Sequence, residues 1–283
     1  MTFIQLGVIK TGARKFSSAP LPAKFGMVVI ALYVLAAIFA PQLAPYGEAE
    51  IVGTQFEPWS STFWLGTDNL GRDMFTRLIY GARNTIGIAL LTTALAFSIG
   101  STAGLAAATF SGWTDQLLSR AVDVLMSIPQ LIFALLLLSI FGTSIPSLII
   151  IIAVLDSTRV FRLTRAVSIN AAVSDYVEAA RLRGEGPIWI MGREIMPNIL
   201  PTLTAEFGLR FCFVFLLISG LSFLGVGIQP PTADWGSMVR DTATLIAYGD
   251  ITPLLPALAI ALLAVSVNLI VDWFLHSASG LRD

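Results

Sequence analysis

The amino-acid sequence predicts an all-α integral membrane protein with six transmembrane helices. Two observations carry that reading. The 283 residues are 55% apolar and only 12% charged, with a mean hydropathy of +0.80, whereas soluble domains carry about 25% charged residues. The few charges are also bunched, leaving uncharged runs that match or exceed the roughly 20 residues a helix needs to cross a bilayer. The single cysteine, Cys212, excludes an internal disulfide and a cysteine-built metal site. The single histidine, His276, leaves little for metal or acid–base chemistry.

Taken in order, residues 1–24 are polar, with Lys10, Arg14, Lys15 and Lys24, and residues 25–47 carry no charge. The second stretch is the first span. A cleaved signal peptide is the other reading of a basic start followed by an apolar run, but its apolar region should be only about 7–15 residues. Residues 48–83 are charged and aromatic and read as a loop outside the bilayer, with Trp59 and Trp64 at its interfacial edge. Residues 84–114 are uncharged and form the second span, closed by a turn at 111–115. The uncharged run 124–155 is too long for one helix, and Gly142-Thr143-Ser144-Ile145-Pro146 punctuates it. It divides into spans at 117–141 and 145–163, the first kinked at Pro129. A polar stretch occupies 164–196. Pro197 and Pro201 open a fifth span at 199–225, a second loop covers 229–250, and the sixth span runs from 251 to about 277 before a short tail at 278–283. Residues 84–277 thus form a five-helix core behind the first span.

An even number of spans puts both termini on one side, and the distribution of Lys and Arg says which. The terminal segments, the 110–120 turn and the 159–196 stretch hold twelve (Lys10, Arg14, Lys15, Lys24, Arg120, Arg159, Arg162, Arg165, Arg181, Arg183, Arg193, Arg282). The loops 48–83 and 229–250 hold four (Arg72, Arg77, Arg83, Arg240), and Arg210 lies within a span. By the positive-inside rule, both termini and the 164–196 stretch are cytoplasmic.

That stretch is the most informative part of the chain. Residues 175–183 are rich in Ala, Glu, Arg and Leu, all good helix formers. Asp175 with Glu178 three residues on is a plausible capped start, with Ser174 as the alternative cap. Gly184 ends the helix, Gly186-Pro187 turns the chain, and 188–196 restarts as a short amphipathic helix that Pro197 closes. The small residues Ala179 and Ala180 would let a partner approach closely. The result is a rigid helix–turn–helix elbow projecting from the membrane.

Glu178-Ala179-Ala180, then Gly184, then Ile195-Met196-Pro197 resembles the EAA motif of ABC importer permeases. The resemblance implies a type I importer permease fold in which Glu178, Ala179, Ala180, Arg181, Gly184, Gly186, Pro187 and Pro197 belong to a loop that docks on an ATPase subunit. Two positions depart from the pattern: Glu194 stands at the usual aliphatic site and Met196 at the usual leucine. The first outer loop holds Leu65-Gly66-Thr67-Asp68-Asn69-Leu70-Gly71-Arg72-Asp73, then Arg77, Tyr80-Gly81 and Arg83. The second holds Gly225-Val226-Gly227-Ile228-Gln229-Pro230-Pro231-Thr232 with Asp234-Trp235-Gly236. Both resemble signatures of the dipeptide/oligopeptide/nickel permease subfamily, and most closely its second, C-type subunit. With the central motif, the resemblance covers roughly residues 25–280. It implies a bacterial inner-membrane location, a second homologous permease subunit, two ABC ATPase subunits carrying ATP and Mg, and a soluble substrate-binding protein. It implies no cofactor in this chain, and the subfamily pattern serves di- and oligopeptides, nickel chelates, glutathione, and some sugars or opines.

The residues themselves limit other readings. Asp68 and Asp73 do not have the alternating ligands and terminal Glu of an EF-hand; an Asp68, Arg72, Asp73 and Arg77 network that shapes the outer mouth and receives a binding protein suits them better. Glu206 and Arg210 lie four apart on one face of the fifth span. They read either as a pathway or gate element or as a mutually neutralising pair, since ionisable groups inside a membrane are costly. Asp123, Asp156 and Asp272 read as structural, and Cys212 and His276 as incidental. A phosphate loop needs Gly-Lys-Ser/Thr, and the only lysines, Lys10, Lys15 and Lys24, do not follow a glycine. The chain is therefore not the ATPase, and it shows no catalytic constellation and no metal site. A self-sufficient secondary transporter would need an ion-coupling site at mid-membrane, where only Glu206 with Arg210 is on offer. The lipid bilayer is the remaining partner, and no nucleic acid is expected.

Overall fold

The structure, a computed structural model, describes residues 19–279. Lys10, Arg14, Lys15 and Arg282, with most of the 1–24 segment and the end of the tail, lie outside the described residues. Among the described residues, four helical runs are long and apolar enough to cross a membrane: Leu21–Ile38 (α1), Met74–Phe110 (α3), Pro187–Phe223, and Leu254–Ser277 within the last described helix, Leu254–Ser279 (α11). A bent pair, Gly112–Met126 (α4) and Gln130–Phe141 (α5), is a fifth candidate if the two halves make one span. The chain is a multi-pass membrane protein, all-helical among the described residues. The helix Ile145–Ala172 (α6) is not one of the four; it carries Asp156, Arg159 and Arg162 along its 28 residues.

Several boundaries differ from the sequence reading for identifiable reasons. The first helix spans Leu21–Ile38 rather than 25–47, and the turn Ala40–Leu43 (α2) follows it. Pro41 has no N–H for the next intrahelical bond, so the helix cannot run on. The loop expected at 48–83 stops at Asp73, because the Asp73 carboxylate caps Thr76 N at 2.7 Å and starts α3 ten residues early. The 111–115 turn is tighter than expected: Ser111 takes a positive φ of 49° and α4 begins at Gly112. At Pro129 the chain bends by 87° between α4 and α5, far more than an ordinary proline kink, and 15 and 12 residues are each too short to cross alone.

Two close approaches set the helix layout. Gly100 and Gly104 of α3 lie against α6, where a Cβ would meet Ser157 O at 2.5 Å and Thr164 Cβ at 2.8 Å respectively. Two glycines four apart let helix backbones come this near in lipid. Gly26 of α1 approaches α11 in the same way, facing Ser266 O at 2.6 Å, and Tyr33 hydroxyl donates to Ala259 O at 3.2 Å. The main core joins Leu138, Leu148, Ile152, Phe215, Ile218 and Leu221. A second cluster lies at the far end of α3: Leu105, Val177, Ala180, Ile190, Ile195, Ile199 and Leu203.

Candidate functional site

The second cluster holds the elbow. Asp175–Leu182 (α7) begins at Ser174, which has the extended backbone of a cap but makes no side-chain cap bond. Its carbonyl instead accepts from Val177 N at 2.9 Å and Glu178 N at 3.2 Å. At the other end Gly184 has φ +82°, Gly184 N donates to Arg181 O at 2.9 Å, and Glu185 N donates to Ala180 O at 3.2 Å. Those two bonds make a Schellman turn, which needs a left-handed residue at Gly184. Pro187–Ile190 (α8) then restarts the chain with Gly186 at its N-cap.

Burial divides the motif. Val177 and Ala180, three apart on one face, are buried in the cluster; Glu178, Ala179, Arg181, Gly184, Gly186 and Pro187 are exposed. Ala180 therefore packs the elbow onto its own chain, and only Ala179 is left for close approach from outside. Leu182 and Ile188, on either side of the turn, are 84% and 78% exposed. Glu194, at the expected aliphatic position, faces Arg183 at 3.4 Å across the turn. Its neighbour Ile195 is fully buried and makes the apolar contact instead.

Pro197 does not close the second helix. Pro187–Ile190, the π-turn Met191–Ile195 and Met196–Phe223 (α9) follow without a break, and Pro197 sits in the first turn of α9. A proline there removes a donor and crowds the carbonyl four residues back. The wide π-turn directly precedes it, and Asn198 Nδ2 donates to the Glu194 carbonyl at 2.6 Å. The elbow therefore feeds directly into a membrane helix.

The two glycine-rich signatures, far apart in sequence, come together at the opposite end of α3. Gly66, Thr67, Asp68, Gly71, Arg72, Asp73 and Arg77 are all buried. Asp68 accepts from Leu70 N at 2.8 Å, Arg72 N at 2.9 Å and Arg72 Nε at 2.7 Å, and Arg77 Nε lies 3.3 Å away. Thr67 hydroxyl donates to Thr54 O and accepts from Glu57 N, both at 2.7 Å. Gly71 has φ +76°, and a Cβ on it would stand 2.1 Å from Gly53 O. Asp73 is not part of the ion cluster; it is the cap of α3. These charges are buried and shape the loop from within, and Arg77 Nη1 also donates to Pro231 O at 3.4 Å.

The 229–250 segment, with Trp235–Thr242 (α10) and a 3₁₀ turn at Ala243–Tyr248, docks onto them. Trp235 Nε1 donates to Leu78 O at 2.9 Å, with its ring where a Cβ on Gly81 would be at 2.6 Å. Asp234 accepts from Thr85 Oγ1 at 2.9 Å and Ser237 N at 2.8 Å. Burial pushes the Asp234 carboxyl above its ordinary value, against the pull of those hydrogen bonds. Glu48, which sequence reasoning passed over, accepts from both Asn84 Nδ2, at 2.6 Å, and Ala233 N. A lone glutamate in a polar loop gives no sequence signal for such a bridge.

Glu206 and Arg210 are paired as their spacing implies, Arg210 Nε lying 2.7 Å from Glu206 Oε1. The structure adds Asp156 from α6, with Oδ1 3.8 Å from Arg210 Nη1. Among the described residues, no three His, Cys, Asp or Glu side chains are placed to hold a metal ion.

Residues 99–277 match the family of inner membrane components of binding-protein-dependent transport systems. The chain belongs to this family. Residues 14–58 also match the N-terminal transmembrane domain of oligopeptide transport permease C. The permease is 33% identical to the dipeptide transport system permease protein DppC of Alkalihalophilus pseudofirmus, over 91% of this chain and 83% of that one. It is 34% identical to the di/tripeptide transport system permease protein DppC of Pseudomonas aeruginosa, over 91% and 85%. It is 30% identical to the glutathione transport system permease protein GsiD of Pectobacterium atrosepticum, over 95% and 88%. The elbow, the start of α6 and the docked 229–250 segment all fall within the region matched to the family.

Proposed function

We propose that this permease is a transmembrane subunit of an ATP-driven importer and forms, with a second homologous permease chain, the path for di- and oligopeptides. Its six spans are α1, α3, the bent pair α4–α5, α6, α9 and α11. Both termini and the elbow face the cytoplasm of a bacterial cell, and the 48–73 and 229–250 segments face outward to meet a soluble binding protein. Two ATPase subunits, which carry ATP and Mg, dock on the elbows of the two permease chains; this chain itself catalyses nothing.

One observation carries the coupling assignment: Leu182 and Ile188 stand exposed on either side of a turn locked at Gly184. A large apolar side chain held in water on a rigid elbow is what a partner's groove takes up. Glu178, Ala179, Arg181, Gly186 and Pro187 are exposed around it, while Ala180 packs its base and Pro197, itself exposed, stands in the first turn of α9. The peptide assignment draws on the DppC relatives, and the GsiD relative supports glutathione, itself a tripeptide derivative, as the second reading.

The test is uptake of labelled dipeptide into proteoliposomes holding the complete complex. Uptake should require ATP and the binding protein and should survive collapse of ion gradients. Uptake that continues without the ATPases and stops with the gradients would overturn the assignment in favour of a secondary transporter.

A further inference from the structure

Asp156 and Arg210 sit on α6 and α9, the two helices that lead into and out of the elbow. Asp156 is 1% exposed and Arg210 8%. Charges buried between membrane helices are costly unless paired, and solvent and salt screen them little. One guanidinium here serves two carboxylates. Its close contact, 2.7 Å, is to Glu206 on its own helix; the 3.8 Å contact to Asp156 is the one that crosses between helices. Asp156 Oδ2, Arg210 Nε and Arg210 Nη1 are all buried without a hydrogen-bond partner, so the contact with Glu206 is an ion pair and not an aligned hydrogen bond. A bonded pair of this type closes at about 2.7–2.9 Å, so a slide of about 1 Å between the helices would turn the loose contact into a bonded one. The Arg210 guanidinium also stacks on Phe213, 4.7 Å from the ring centroid, which keeps it on the α9 side.

We propose that Asp156 and Arg210 form a clasp between α6 and α9 that tightens when the elbow moves, Arg210 shifting its grip from Glu206 towards Asp156 as the two helices slide past each other. The proposal rests on the coupling role assigned to the elbow. Asp156 and Arg210 act here as positioning residues, through the helices that bear them. Gln130 of α5 and Arg159 also act on the Asp156 carboxylate, while Asp156 Oδ2 and Arg210 Nη1 have no hydrogen-bond partner and can take one as the contact changes.

The experiment compares Asp156→Asn, Arg210→Gln and the double variant in the complete reconstituted complex, reading peptide imported per ATP hydrolysed. Each single change should lower that ratio about threefold to thirtyfold, the range single residues give in coupled networks. The double variant should be no worse than the poorer single, because the residues act as a unit, and Asp156→Glu should retain the ratio. If Asp156→Asn fails to assemble, Arg210→Lys, which keeps the charge but loses the fork, should show the same fall. A normal ratio in these variants with only a lower melting temperature, or additive losses in the double, would overturn the clasp. Gly184→Trp in the same vesicles separates the two ideas: if it couples normally, the elbow reading fails; if it uncouples while Asp156→Asn does not, only the clasp fails.

Discussion

Thr85 on α3 donates its hydroxyl to Asp234 at the start of α10, at 2.9 Å, although 149 residues separate them. That bond, with Trp235 against Gly81, fastens the 229–250 segment to the end of a membrane helix. Asp234→Ala removes the acceptor and strands Ser237 N and the Thr85 hydroxyl in a buried site. It should cost about 2 kcal/mol, read as a lower melting temperature of the purified complex.

The same residue predicts a pH dependence. Burial raises the folded-state pKa of Asp234 above its unfolded value of about 3.9. The unfolded chain then ionises first, so this contribution is full below about pH 4 and is lost as pH rises through the folded value. Asp234→Asn should flatten that part of the stability profile. An unchanged slope between pH 4 and pH 7 would count against the buried carboxyl.

Asp68 is the hub of the 48–73 loop, accepting from the backbone of Leu70 and Arg72 and facing both Arg72 and Arg77. Asp68→Ala leaves two guanidinium groups buried without their counter-ion. A loss of about 3–5 kcal/mol is expected, seen as poor yield of assembled complex. Asp73→Ala, which loses only the α3 cap, should cost about 1 kcal/mol.

The α3–α6 crossing depends on Gly100 and Gly104. Gly104→Leu must displace Thr164 Cβ and the Phe161 carbonyl, 2.8 and 2.9 Å from the new Cβ. Overpacking of this kind costs about 1–3 kcal/mol, and here backbone stands in the way. Thermal unfolding should place Gly104→Leu well below Gly87→Leu, whose Cβ would meet nothing within 4 Å.

Glu194→Leu tests what holds the elbow shut. Its ion pair with Arg183 is half in solvent and 3.4 Å long, so losing it should cost under about 1 kcal/mol. The Schellman turn and the buried Ile195 remain. Coupling should stay near normal in the transport assay.

Much of this was legible in the sequence, and the rest was not for physical reasons. Uncharged runs revealed the membrane helices, because lipid excludes charge over a whole span. Gly184 revealed the elbow, because a left-handed turn selects glycine locally. The Gly100–Gly104 spacing was also there to be read as a close crossing. Pro129 signalled a kink but not its 87° angle. Pro197 looked like a terminator because a proline rule knows nothing of the π-turn before it. The Asp156–Arg210 contact and the Glu48 bridge to Asn84 and Ala233 join residues far apart in sequence. No local pattern encodes such pairs; only the folded packing of α3, α6 and α9 brings them together.

The elbow as the docking point for an ATPase is the central claim, and Gly184→Trp tests it most directly. Gly184 is exposed, and a Cβ there would meet nothing within 4 Å, so the change is tolerated sterically within the chain. Its φ of +82° costs a non-glycine residue about 1 kcal/mol locally, which leaves the spans intact. ATP hydrolysed per peptide imported should rise several-fold in the reconstituted complex, with assembly of the membrane helices unchanged. A ratio equal to that of the unmodified complex would contradict the docking role of this stretch.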